Sequence, residues 1–221
     1  MHRERVDPRL TRALTVQLEA RRALVQQGAQ PIGWKLGQGE RESIGGELAV
    51  GHLTSETWLP AGAVYVSDDA TAELKGDAEV AVELGRDLAP EADSAAARRA
   101  IASYAVALEI CDVKRPPDDA EAFVASNIFH RAVAFGPFRP RLPAAPAVEL
   151  IVNGETRESV RADADVAPSL SAAARVLDAV GERLRAGDRI STGLVINVPL
   201  APGDHVMADM RELGCVGLAI A

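Results

Sequence analysis

The sequence predicts an α+β fold: a mixed, rolled β-sheet with an N-terminal helix and one later long helix. Stretches of period-two alternation outnumber stretches of helical periodicity, and the two kinds are not regularly interleaved as a doubly wound parallel sheet would require. The chain has 221 residues, enough to bury a real core, and no internal repeat or low-complexity linker divides it. One domain over residues 1–221 is therefore expected, with 1–30 a helical cap and 31–221 a β-roll core.

Asp7-Pro8 reads as an N-cap followed by proline at the first helical position. Leu10, Leu14 and Leu18, then Leu24 and Val25, make an apolar stripe that Gly28 can stop, so the spacing predicts a helix over 8–27. From Ile32 the period changes to two: Ile32, Trp34 and Leu36 point one way, and Gly33, Lys35 and Gly37 the other. Lys35 thus has bare flanks that leave room for a ligand; the alternative is an exposed edge-strand lysine. Residues 38–62 read as a long loop with short strands, and 73–88 as a strand with a bulge at Gly76. Asp93-Ser94 caps a helix over 94–102, and 104–113 is a buried strand. Pro116-Pro117 punctuates, Asp118-Asp119 starts a short helix towards Ser126, and 131–136 is another strand. Val148, Leu150 and Val152 alternate into Asn153-Gly154, a hairpin signal. Residues 168–185 carry a second helical stripe. Gly187-Asp188 and Pro202-Gly203-Asp204 are turns, and 204–221 reads as two strands joined near Gly214.

Lys and Arg number 24 against 32 Asp and Glu, a net charge of −8, which argues against a nucleic-acid or anionic-membrane surface. No apolar run reaches the roughly 20 residues that span a bilayer, and Met1 to Asp7 is too charged for a secretory leader. Cys111 and Cys215 form no Cys-x-x-Cys pattern and suit a reducing cytoplasm as small buried hydrophobes.

Asp77-Ala78-Glu79 is the motif that points to chemistry. On a strand, residues i and i+2 face the same side about 6.5–7 Å apart. Two carboxylates there repel unless a proton or a cation lies between them. Glu109 interrupts the apolar run Val106-Ala107-Leu108-Glu109-Ile110, where a charge needs a partner. Singly, each acid could be an ordinary surface residue. Together, with no cysteine or histidine expected nearby, they suit Mg²⁺, Mn²⁺ or Ca²⁺ rather than zinc.

Gly33-Trp34-Lys35-Leu36-Gly37, the run from Asp77 to Leu88, and Ala107-Leu108-Glu109-Ile110 together resemble the fumarylacetoacetate hydrolase superfamily. The branch is that of 2-keto-4-pentenoate hydratase and 4-oxalocrotonate decarboxylase. Asn127 with Gly136, Thr192-Gly193, Pro202-Gly203-Asp204 and Leu213-Gly214 extend the match over roughly residues 8–221. The resemblance implies a metal-dependent lyase acting on a small 2-oxo acid through an enolate. It implies Mg²⁺ or Mn²⁺ held by Asp77, Glu79 and Glu109, with Lys35 lining the pocket, and chains that pair through their sheets into a dimer or higher homo-oligomer. His52 is a candidate acid or base, and Asn127, His130, Thr192 and Gly193 are candidate substrate contacts; each has a plain structural alternative. Trp34 and Trp58 read as core.

The chain departs from the family pattern in three places. Asp77 stands where the hydratases usually have Glu, Ser126-Asn127-Ile128-Phe129 replaces Asp-Asn-x-Ser, and Leu194 replaces a small hydroxyl residue. Two competing readings follow. One is hydrolysis of a carbon–carbon bond in an acylpyruvate, which needs a His/Glu dyad that His52 would start. The other is a catalytically silent partner subunit.

Overall fold

The computed structural model describes residues 6–37, 44–114, 120–162 and 165–221. Helix α1 (Pro8–Gln26) is capped by the Asp7 carboxylate, which accepts from the Arg9 N–H, and buries Leu10, Leu14 and Leu18. Next come β1 (Pro31–Gly37), β2 (Ala49–Thr54), β3 (Trp58–Leu59), β4 (Val64–Tyr65) and β5 (Leu74–Leu84). Helix α2 (Ser94–Ala100) leads straight into β6 (Ile101–Asp112), followed by α3 (Ala120–Ala125), β7 (His130–Phe135), β8 (Ala147–Val152) and β9 (Glu155–Arg161). Helix α4 (Ala167–Asp178), β10 (Arg189–Pro199), β11 (His205–Asp209) and β12 (Cys215–Ile220) complete the chain.

The strands form two sheets, ordered β2-β1-β10-β5-β6-β7-β3 and β4-β12-β11-β8-β9. The β1/β10, β3/β7 and β4/β12 pairs are parallel and the rest antiparallel, so this is the mixed α+β arrangement the sequence predicts. The larger sheet curls: Arg189 on β10 lies 5.5 Å over the Trp58 ring on β3, four places along the strand order. One apolar layer joins the two sheets, with Ala78, Val80, Leu108 and Ile110 on one side and Leu150, Val206, Val216 and Leu218 on the other. The opposite, inward face of the curled sheet carries Lys35, Asp77, Glu79 and Glu109.

Several expectations are corrected. The strand β10 lies at the centre of the larger sheet, yet its period-two pattern is broken at Thr192-Gly193, where the register with β5 shifts between Ser191 and Leu194. Gly76 is in regular register opposite Ile110 and marks no bulge; a Cβ there would come within 3.0 Å of Leu200 and 3.5 Å of Val206 on β11, so the glycine lets these side chains close over β5. Helix α4 ends at Asp178, not 185. Glu182 N–H reaches Leu177 O and Gly181 N–H reaches Asp178 O, with Gly181 at φ +78°, a left-handed stop that the stripe through Leu184 conceals. His52 is no loop residue but sits in β2. Trp58 is 40% exposed, and Cys215 is exposed rather than buried. The Asn153-Gly154 hairpin forms as expected, both residues at positive φ. Pro116-Pro117, Asp118-Asp119 and the Leu194 side chain lie outside the described residues.

Candidate metal centre

Register brings the acids together. Asp77 on β5 pairs directly with Glu109 on β6, and Glu79 follows two residues along, opposite Ala107. Cys111, two residues beyond Glu109, shares this face. One ligand atom each from Asp77, Glu109 and Cys111 lies within 4.8 Å of the others. Glu79 is outside that cluster because its Oε2 is turned to β10, where the Ser191 hydroxyl and the Gly193 N–H (3.0 Å) both donate to it. The broken register at Ser191 is what aims the Gly193 N–H inward.

Lys35 reaches over from β1. It is 3% exposed, and its ammonium pairs with Glu109 Oε1 at 2.5 Å and donates to the Ile128 carbonyl at 3.0 Å. The edge-strand alternative is thereby overturned. The glycines beside it do not leave ligand room: a Cβ at Gly33 would fall 2.0 Å from the Arg189 carbonyl oxygen, and one at Gly37 would meet Ile128 at 3.0 Å. The bare side is provided by Gly51 on β2, where a Cβ would strike Lys35 Cγ at 2.7 Å.

His130 lies against the same carboxylate, Nδ1 2.6 Å from Glu109 Oε1 and Nε2 2.9 Å from Thr57 Oγ1. Burial holds this imidazole below its ordinary pKa despite the attraction of Glu109, so the ring is neutral. A carboxylate only accepts, so Nδ1–H donates to Glu109 and Nε2 accepts from the Thr57 hydroxyl. The expectation of no cysteine or histidine near the acids is therefore wrong. Alternation carries Cys111 to the face of Glu109, and Cys111 pairs with His130 across β6/β7.

Other candidates do different work. The Asn127 amide is clipped to the main chain of β2, its Oδ1 accepting from His52 N–H (2.8 Å) and its Nδ2 donating to His52 O (3.0 Å). His52 shares the α1-facing side of β2 with Val50; its Nδ1 is 3.4 Å from Gln17 Oε1, and Gln17 also donates to Val50 O. Burial lowers the His52 pKa to about 4, assisted by the charge of Arg21. The Thr192 hydroxyl donates to Val80 O at 2.7 Å. Ser191, Cys111 and Thr57 were not anticipated; the same i, i+2 rule that pairs Asp77 with Glu79 could have found Cys111.

The electrostatics are those of a crowded anionic pocket. Burial first, and Glu109 second, push Asp77 up to about 6 and Glu79 up to about 8. Burial also opposes the charge on Glu109, but Lys35 and His130 overcome it and hold its carboxyl down at about 2. Burial alone would discharge Lys35; the ionised Glu109 in direct contact outweighs it and keeps the ammonium charged. Asp77 Oδ1 and Glu109 Oε2 are buried and meet no hydrogen-bond donor among the described residues. Unpartnered buried carboxylate oxygens on two directly paired residues, beside a Glu79 that holds its proton at neutral pH, fit a divalent cation able to displace that proton.

A family model described as Fumarylacetoacetate (FAA) hydrolase C-terminal matches residues 20–220. The solved 4-oxalocrotonate decarboxylase from Pseudomonas putida G7, complexed with magnesium and adipate, superposes with a TM-score of 0.86 at 24% identity, covering 96% of this chain and 86% of that one. Fumarylpyruvate hydrolase from Pseudomonas aeruginosa, in complex with Mn²⁺ and pyruvate, gives 0.63 at 17% identity, covering 87% and 89%. A 5-carboxymethyl-2-hydroxymuconate delta-isomerase from Mycobacterium smegmatis gives 0.63 at 16%, covering 86% and 80%. At these identities the likeness is one of fold. No curated protein matches the sequence.

Proposed function

The chain belongs to the fumarylacetoacetate hydrolase family, and from that premise we propose that it is a divalent-metal-dependent lyase acting on small 2-oxo acids through an enolate, of the oxopentenoate hydratase or oxalocrotonate decarboxylase type. The observation that carries this reading is the opposed pair Asp77 and Glu109, each with a buried oxygen that no donor among the described residues meets. With Glu79 they would hold Mg²⁺ or Mn²⁺. When bound, such a cation supplies positive charge against the substrate's carboxylate and 2-oxo oxygens and so favours the enolate. A solved protein of the same fold that holds magnesium together with adipate supports the choice.

The side chains divide the remaining work. Ser191 and the Gly193 N–H fix the Glu79 carboxylate, and His130, itself anchored on Thr57, fixes Glu109. Lys35 stays an ammonium, so it can orient a substrate carboxylate or donate a proton but cannot serve as the resting base. Ala81, Ala105 and Ala107 lie on the same face as the acids and pack with Leu53, Val133 and Phe135, so an apolar wall borders the charged groups. A soluble homo-oligomer free of nucleic acid and membrane is part of the proposal; no helix among the described residues is long and apolar enough to cross a membrane.

The hydrolase alternative is less well supported. His52 faces α1, and both ring nitrogens of His130 are engaged, which leaves neither histidine free to activate water. The test is thermal unfolding with millimolar Mg²⁺ or Mn²⁺, together with a substrate panel of 2-oxo-enoates, oxalocrotonate and acylpyruvates. Metal should raise the midpoint by mass action, and a 2-oxo-enoate or oxalocrotonate should turn over. Turnover of acylpyruvates alone would mean the hydrolase, and neither stabilisation nor turnover would mean the silent subunit.

A further inference from the structure

Cys111 has no role in the reading above, yet it stands where a ligand would. It is buried on the inward face of β6, two residues from Glu109, and with no cation present its thiol donates to Asp77 Oδ2, Sγ to oxygen 3.5 Å. On its other side the Lys35 ammonium is 4.0 Å away. Sulfur and oxygen bound to one cation at about 2.3 and 2.1 Å would lie roughly 3.1–3.6 Å apart for bond angles between square and tetrahedral. The observed separation falls inside that interval. An independent sign of a missing cation is Glu109 Oε2, on a side chain 1% exposed and without a donor among the described residues.

Resting on the metal-centre reading, we propose that Cys111 is a ligand beside the carboxylates and that it sets the cation preference. Sulfur binds Mg²⁺ poorly and cations of the later first transition series well, whereas carboxylates alone discriminate little. Of the two cations named above the site takes Mn²⁺ in preference to Mg²⁺, and it takes Co²⁺ or Zn²⁺ in preference to both. On coordination the thiol proton passes to bulk water and Sγ donates a lone pair; nothing is oxidised or reduced.

Co²⁺ is the probe, because its visible d–d bands report binding and its near-ultraviolet sulfur-to-cobalt charge-transfer band reports a thiolate ligand. The chain has two cysteines, so the experiment is run in a Cys215→Ser background that leaves Cys111 the sole thiol. That parent should show both signals. Adding Cys111→Ser, with Cys111→Ala in parallel and circular dichroism to follow folding, should keep the visible bands and abolish the charge-transfer band. The preference for Mn²⁺ over Mg²⁺ in direct competition should fall roughly tenfold or more. Visible bands without charge transfer in the parent would overturn the sulfur ligand and leave the carboxylate site standing. Failure of Co²⁺, Mn²⁺ and Mg²⁺ alike to bind would overturn both.

Discussion

The two sheets solve the burial problem in opposite ways. In the five-stranded sheet, β8 and β12 alternate buried and partly exposed residues, so one face packs and the other stays wet. In the centre of the seven-stranded sheet, β6 runs buried from Ala105 to Asp112 without a break, and the face turned away from the apolar core is also closed. The first sheet tolerates polar residues because water reaches them. The second holds Lys35, Glu79, Glu109 and His130 out of water, so each must be satisfied by another. A buried ionic cluster of this kind gives little stability for its cost; it makes sense as a site.

Glu109→Gln should break the comparison most severely. It strands the Lys35 ammonium beside a neutral amide, and losing one partner of a buried pair costs about 3–5 kcal/mol. Denaturant unfolding should show that loss, and neither the Mn²⁺-induced thermal shift nor turnover should remain. Leu150→Ala, on β8 of the other sheet and fully buried, should cost about 2–5 kcal/mol through its cavity. Its Mn²⁺ affinity, measured by titration calorimetry, should nevertheless match the parent's. Equal damage to metal binding from both variants would erase the distinction between the sheets.

Acidity sharpens it further. Burial pushes Glu79 up to about 8 in the folded protein, against 4.5 for an ordinary glutamate, so between those values the folded state holds the extra proton. Stability of the metal-free protein therefore falls as pH rises. His52, lowered from 6.5 to about 4, acts in the opposite sense below 6.5, so the clean window is pH 6.5 to 8. Metal-free thermal midpoints should decline across that window, and saturating Mn²⁺ should flatten the decline. A rise without metal would contradict the site's electrostatics. The mildest change is Ser191→Ala, which removes one of the two donors holding Glu79 Oε2; Mn²⁺ affinity should drop about tenfold with little loss of stability.

The same contrast governs what could be read from the sequence. Val148, Leu150 and Val152 announce their strand and Asn153-Gly154 its turn, because a half-wet hairpin writes its geometry into alternation. Asp77, Glu79 and Glu109 were legible as acids in apolar surroundings, and their strands followed. The strand β10 was not, because its function as the holder of Glu79 requires the very irregularity at Ser191-Thr192-Gly193 that spoils the pattern. His52 was misread since its strand lies in a Gly-rich stretch with no apolar rhythm. Asn127 has a task the sequence did not announce. It closes α3 in the left-handed region at φ +61° while its amide binds β2, and only three-dimensional proximity reveals the second duty.

Asn127, Ile128 and Phe129 are three successive non-glycine residues at positive φ, a conformation costing roughly 1–2 kcal/mol each. The result is the Ile128 carbonyl turned towards Lys35. That oxygen is part of the peptide linkage, so no codon change at position 128 can delete it. Neighbouring side chains are thus free to vary, while the lysine keeps an anchor that heredity cannot edit directly.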